Sequence, residues 1–291
     1  MGKTGFKRVL LAIDGSQESE AAANAVIALT KPGLKVHVTH VWNLEVHHQQ
    51  GHWDIEMREE AERLVEGVAA RLRAVGAEVE GEVRRGSEKE VAQVLGGVAQ
   101  EMDADLIVMG GRGLSNWQAL RERSVSHKLL SATKIPVLVV RGWSAADEVE
   151  VRRILLAVAG GDDVKIGVDA VVALTQAMEA RVMVVHVAQA IISVQGYAFI
   201  EEEEEIKATL ADTLKQLKAK GVEAECMTVH ATVGSATGTG HAVAQVAEEW
   251  KADVVVMSGS RTGDLESLLL GSATKELLHE SHHGVLVAER G

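Results

Sequence analysis

The chain is short of several things that would direct its reading elsewhere. It has one cysteine, Cys226, so no disulfide can form within it, which fits a reducing cytosol. It has two prolines, Pro32 and Pro136, too few for a proline-rich linker or tail. Aromatic residues are 3% of the 291, so the cores must be built from Ala, Val, Leu and Ile. Positive charge is also scarce. The formal net charge of −12 argues against nonspecific nucleic-acid binding and against docking on an anionic membrane. No apolar run approaches the length of a transmembrane helix, and the opening MGKTGFKRVLLAIDGS has neither a full signal-peptide core nor a small-residue cleavage site.

What is there is apolar content of 46%, and a pattern that occurs twice. KRVLLAIDGS (7–16) is matched by RRILLAVAGG (152–161), and KVHVTHV (35–41) by RVMVVHV (181–187). MDADLIVMG (102–110) is matched by WKADVVVMS (250–258), and PVLVVR (136–141) by GVLVAE (284–289). The four matches keep their order at offsets of 145 to 148 residues, far too long a period for a solenoid. Two tandem domains are expected, 1–142 and 150–291, with the seam near Gly142–Glu150.

Within each copy, short unbroken apolar runs alternate with helical patterns. That is the signature of a doubly wound α/β fold with a parallel sheet covered on both faces. Ser16 should cap a helix running through EAAANAVIAL, with Glu18 and Glu20 in its first turn. Further helices are expected over 58–75, 91–102, 125–131, 206–220 and 243–250. Ligands of such sheets bind beyond the carboxyl ends of the strands, where the strand order reverses.

Asp14 ends the first strand, at the mouth of that crevice. It can accept hydrogen bonds from an adenine amino group or a ribose hydroxyl, or it can serve the Asp-Gly turn alone. Gly110, Gly111 and Gly113 follow the fourth strand and let backbone N–H groups approach phosphate, or simply turn the chain. Ser124 stands where the next helix begins, a natural place for an anion or for a cap.

Taken together, Asp14-Gly15-Ser16, Gly110-x-x-Gly113, nine residues, Arg123-Ser124 and then IPVLVV resemble the universal stress protein family, once per copy. The resemblance implies two five-stranded parallel sheets of order 3-2-1-4-5, the adenine nucleotide alpha hydrolase-like fold. It implies that ATP or a related adenine nucleotide, with or without magnesium, binds the first copy. Asp14 and Val41 would then hold adenosine, Gly110 and Gly113 would approach ribose and phosphates, and Ser124 would bind phosphate. It also implies a homodimer, or a pairing of the two copies, through the last strands, 136–140 and 285–288.

Both copies depart from the family pattern. Arg123 stands at a family glycine, where it fills the phosphate slot, pairs with phosphate, or lies solvated at the surface. The second copy keeps Gly271-Ser272, but Ser258 and Arg261 fall on the first two glycine positions. Gly259 and Gly263 are offset substitutes. Ala159 stands where the first copy has Asp14, so the second crevice should be the weaker.

The expected role is a cytoplasmic stress-response regulator that binds nucleotide without efficient turnover. The alternatives are a dimerisation scaffold that binds no nucleotide and a slow metal-dependent ATP hydrolase. His279-Glu280-Ser281-His282-His283 spells the zinc-protease pattern, but a strand follows at once, and a chance match is expected. His47, His48 and His52 read as a solvated loop, and GSATGTG (234–240) as a loop without the P-loop ending. GKT (2–4), with no strand before it, is not a P-loop. The run of glutamates at 201–205, with Lys207, reads as a solvated helix start with pairing one turn apart.

Overall fold

The computed structural model describes residues 5–42, 53–87, 89–111, 125–141, 143, 150–159, 163–193, 196–199, 202–232, 238–259 and 271–289. The chain divides into two compact units, one spanning Phe6–Val149 and the other beginning at Glu150.

In the first unit, β1 (Arg8–Ile13), β2 (Lys35–Trp42), β3 (Glu78–Arg85), β4 (Leu106–Gly110) and β5 (Val137–Val140) form a parallel sheet of order β3-β2-β1-β4-β5. Helices α1 (Gln17–Leu29) and α2 (Trp53–Ala74) pack against one face. Helices α3 (Val91–Glu101) and α4 (Val125–Ala132) pack together on the other. The central strands are apolar almost throughout because helices cover both sides. Val9, Leu10, Leu11, Leu106, Ile107, Val108 and the whole of β5 are buried. The edge strand β3 instead alternates Glu78, Glu80 and Glu82 with Val79 and Val83, and its charges suit an unpaired edge.

The second unit repeats these pairings. Its strands are β6 (Arg153–Val158), β7 (Arg181–Ser193), β9 (Ala224–Thr232), β10 (Val254–Gly259) and β11 (Gly284–Glu289). They run parallel in the order β9-β7-β6-β10-β11. One strand exceeds the expected five. β8 (Gly196–Phe199) turns back antiparallel on the far end of β7, aligning Ser193 with Gly196 and Ala190 with Phe199. The helices are α5 (Asp163–Ala177), α6 (Glu203–Ala219), α7 (Thr239–Trp250) and α8 (Ser272–Glu280).

Helix α2 begins five residues before its expected start and α7 four before, since apolar spacing becomes visible only after a helix has begun. The pairing in the first turn of α6 is as expected, with Lys207 Nζ 2.6 Å from Glu203 Oε1. No helix among the described residues is long and apolar enough to cross a membrane.

The amino edge is built identically in both units. Asp105 accepts the backbone N–H groups of Lys7 (2.9 Å) and Arg8 (3.0 Å), while its own N–H donates to the Arg8 carbonyl. Asp253 accepts those of Arg152 (2.7 Å) and Arg153 (2.8 Å) and donates to the Arg153 carbonyl. Ahead of each aspartate, one non-glycine residue takes the left-handed conformation that ends the preceding helix. These are Asp103 (φ 50°) and Lys251 (φ 55°).

Candidate functional site

Strand order reverses at β1 of the first unit: α1 leads from it to β2 on one side, while β4 lies on the other. The register sets Ile13 beside His40 and Ala12 beside Met109. Asp14 therefore continues one step past the aligned pair on the β2 side, as Val41 does. Gly110 ends β4 at the same carboxyl edge.

Asp14 is exposed, and its Oδ1 accepts hydrogen bonds from the Ser16 N–H (3.0 Å) and the Ser16 hydroxyl (2.5 Å). Ser16 Oγ in turn accepts the Ser19 N–H at 3.2 Å and caps α1. Gly15 between them has φ +77°, a left-handed turn suited to glycine. Asp14 thus orients the loop that starts α1, whatever else it binds.

Gly110 answers a packing need. A Cβ there would lie 2.5 Å from the Glu18 carbonyl carbon and 2.7 Å from the Ser19 nitrogen. Its absence lets the first turn of α1, with its outward N–H groups and positive dipole end, rest against the end of β4. The next residue faces the other way. A Cβ on Gly111 would meet Val139 Cγ1 at 2.5 Å and Arg141 Nε at 2.6 Å.

On the β2 side, Val41 is half-buried and aligned with Arg84. Gly86 passes close by, donating its N–H to the Trp42 carbonyl at 3.0 Å, and a Cβ there would lie 3.1 Å from Val41 Cγ1. His40 Nδ1 is 2.9 Å from the Ile13 carbonyl oxygen. A carbonyl only accepts, so Nδ1 carries the hydrogen and the ring is fixed across the ends of β1 and β2. Sequence reasoning passed over His40 and Arg141. The HV ending shared by both copies was the available signal for His40, and nothing local pointed to Arg141. Of the expected ligand residues, Gly113, Arg123 and Ser124 lie outside the described residues. Asp14, Val41 and Gly110 share one edge.

The corresponding edge of the second unit differs. Ser258 occupies the Gly110 position, is buried, and its hydroxyl has no hydrogen-bond partner among the described residues. Room for it comes from α5, where a Cβ on Gly167 would stand 3.0 Å from Ser258 Oγ. Ala159 is exposed after β6, at the place of Asp14. Gly259 ends β10, aligned with Glu289, and Gly263 lies outside the described residues. Gly271 precedes α8 without a side-chain cap, and Ser272 is exposed at its first position.

An internal carboxylate serves the N-terminus of α7. Glu276 of α8 accepts the N–H groups of Gly238 (3.2 Å) and Gly240 (2.9 Å). Gly240 must be glycine for this packing, since a Cβ would come within 2.3 Å of the Ala273 carbonyl oxygen. The glycine-rich segment thus ends in a tight helix–helix joint; its residues 234–237 lie outside the described ones. The same joint separates the zinc-protease pattern. Helix α8 ends at Glu280, which pairs with His241 Nδ1, while His283 lies beyond the helix. Among the described residues no three His, Cys, Asp or Glu side chains could hold a metal ion. His47, His48 and His52 fall outside them. His283 Nε2 lies 3.3 Å from Glu248 Oε2, and burial draws its pKa below the ordinary histidine value despite that carboxylate.

The family model described as the universal stress protein family matches residues 5–141 and again residues 150–289. The chain belongs to that family. Among curated relatives, the universal stress protein YxiE of Bacillus subtilis is 29% identical over 150 residues, 47% of this chain and 99% of the relative. A putative universal stress protein of Staphylococcus aureus strain USA300 is 30% identical over 142 residues, 47% of this chain and 84% of the relative. Each aligns with about half of this chain, as a single-copy relative of a tandem universal stress protein does. A universal stress protein from Archaeoglobus fulgidus shares the fold along its whole length. Its TM-score is 0.70 at 22% identity, with 98% of this chain and 99% of that one covered. A putative universal stress protein from Pseudomonas aeruginosa gives 0.65 at 16%, with 98% and 94% covered.

Proposed function

We propose that the first domain, taken as residues 1–142, binds ATP or a related adenine nucleotide at the carboxyl edge between β1 and β4. The observation that carries this reading is the convergence at one point of the strand-order reversal, the exposed carboxylate of Asp14, and the first turn of α1 drawn in by Gly110. Asp14 and the neighbouring Val41 would hold adenosine, with the glycines at and beyond β4 on the phosphate side. Gly113, Arg123 and Ser124 are assigned there by family resemblance, and magnesium would accompany a triphosphate as its counter-charge. Binding acts as a signal in a cytoplasmic stress response, with a second copy of the chain as the natural partner.

The second domain, taken as 150–291, is read as a scaffold. Ala159 offers no carboxylate, the Ser258 side chain stands against α5 where Gly110 lets α1 close on β4, and Glu276 spends its negative charge on α7. The test is direct. Protein purified without added ligand is denatured, and released small molecules are identified by mass spectrometry. Calorimetry then follows with adenosine, AMP, ADP and ATP. One adenine-ligand site per chain is expected. No binding by the wild type would sink the reading, and two equal sites would overturn the division of labour.

A further inference from the structure

Matching edge strands of the two units carry different chemistry. The repeat sets Val36 of β2 level with Val182 of β7, and the two registers then set β3 level with β9 residue by residue. Glu80 corresponds to Glu225, Glu82 to Met227 and Arg84 to Val229, while His37 of β2 corresponds to Met183 of β7. In the first unit these positions form one polar network. Arg84 Nε donates to Glu82 Oε2 at 2.7 Å, its Nη2 donates to Glu101 of α3 at 2.8 Å, and His37 Nε2 stands 3.1 Å from Glu82 Oε1. In the second unit Arg181 Nη2 donates to Glu225 Oε1 at 2.8 Å. Beyond that pair come Met227, 37% exposed, and the half-buried Met183 and Val229.

Single apolar residues are ordinary on a surface. These three share one face of one edge, the face on which Gln189 of β7 donates to Thr239 of α7. Among the described residues β9 pairs as a strand with β7 alone, which leaves it an outer strand of its sheet. Outer strands are usually blunted by charge or proline. Five of the eight residues of β3 are charged, whereas the nine of β9 include one glutamate and no lysine, arginine or proline. The strand is also complementary to itself. Its midpoint is Thr228, and a second β9 laid antiparallel about a two-fold axis there pairs every residue of the strand. Met227 then meets Val229 of the second copy, and Val229 meets its Met227, so the apolar residues close on one another. Glu225 meets Ala231 rather than a like charge, and the two Glu225–Arg181 pairs stand about 20 Å apart along the strands.

We propose that the outer edge of β9 is an interaction surface for a second copy of this chain, the two β9 strands pairing antiparallel about Thr228. The contact lies at the opposite end of the second sheet from β11, so it is distinct from the pairing of last strands that family resemblance implies. It goes beyond the nucleotide reading and gives the second domain a surface of its own. Methionine suits such a place, because its unbranched, polarisable side chain adapts to the surface it meets. One pair of strands makes a small interface, so the association is reversible and depends on concentration.

The test measures mass by sedimentation velocity for wild type and Met227→Lys, from about 1 to about 100 µM, with a thermal midpoint for each. Wild type is expected to show one doubling step that Met227→Lys weakens about tenfold or more, because pairing would strip water from the new charge. The midpoint should not move, since the position is exposed. A second pair of variants reads the register. In a Cys226→Ser background, Thr228→Cys sets two thiols side by side across the axis, and Ala224→Cys sets them about 27 Å apart. Under a mild oxidant Thr228→Cys should form covalent dimers and Ala224→Cys should not. Equal masses for wild type and Met227→Lys at every concentration overturn the proposal. Any association then belongs to another surface, such as the last strands, or the edge takes a foreign extended segment instead. Equal cross-linking of the two cysteine variants overturns the antiparallel pairing even where Met227→Lys lowers the mass. None of these outcomes bears on nucleotide binding by the first domain, which is measured separately.

Discussion

Glu276 holds the first turn of α7, which Gly238 caps: its Oε2 accepts the Gly240 N–H at 2.9 Å, and its Oε1 accepts that of Gly238. A carboxylate at this place satisfies two orphan donors and faces the positive helix end. Glu276→Ala should lower unfolding free energy by about 1–3 kcal/mol, and Glu276→Gln by less, since the amide keeps an acceptor but not the charge. Urea unfolding with both variants checks the order. Equal stability for all three proteins would show that the contact contributes nothing net.

Gly110 and Ser258 occupy matching strand ends, and the same exercise should give opposite results at the two. Gly110→Ala forces a methyl group into the Glu18–Ser19 peptide and should cost about 1–3 kcal/mol. Ser258→Ala removes a buried hydroxyl with no partner among the described residues and should be neutral or stabilising by up to about 1 kcal/mol. Thermal midpoints measured side by side decide. A more stable Gly110→Ala would contradict the helix–strand contact.

Stability should fall in mild acid partly through His283. Burial lowers its folded pKa beneath the ordinary 6.5, so the unfolded chain takes up the proton first. Above that value both states are neutral and the group contributes no slope. As pH drops through about 6.5 toward the folded pKa, the unfolded state gains. His283→Gln should therefore show a smaller loss of midpoint between pH 7.5 and pH 5 than wild type. A parallel loss in both would assign the slope to other groups.

Asp14 has two jobs, and one substitution can separate them. Asp14→Ala should weaken adenine-ligand binding about tenfold, through the lost acceptor, and cost about 1 kcal/mol through the loop ahead of α1. Asp14→Asn keeps an oxygen for Ser16 and should recover most of the stability but not the affinity. Binding constants and unfolding curves moving strictly together would mean that Asp14 acts only on the loop.

The frame was legible because it is written in local chemistry. Apolar runs covered on both faces announce parallel strands, and Asp14-Gly15-Ser16 spells a turn and a cap, both of which form. The meaning of the glycines was harder. Sequence says that something comes close to Gly110, Gly111 or Gly240, but not what. The visitors proved to be α1, Arg141 and α8, which lie between about thirty and ninety residues away in the chain. The β7–β8 hairpin was missed for a related reason. Past Gln189 the strand resumes with the apolar Ala190, Ile191 and Ile192, and nothing local marks where parallel pairing gives way to the returning strand.

The aspartate latch at the amino edge has a further consequence. Asp105 and Asp253 clasp the same two backbone positions, after a left-handed residue at the same place, while the opposite rims of the two sheets differ at Asp14 against Ala159 and at Gly110 against Ser258. Rim and clasp are therefore separable modules. Transplanting residues 158–163 or 258–272 into the first sheet should leave its foundations undisturbed, so that ligand preference can be exchanged by grafting without rebuilding either sheet.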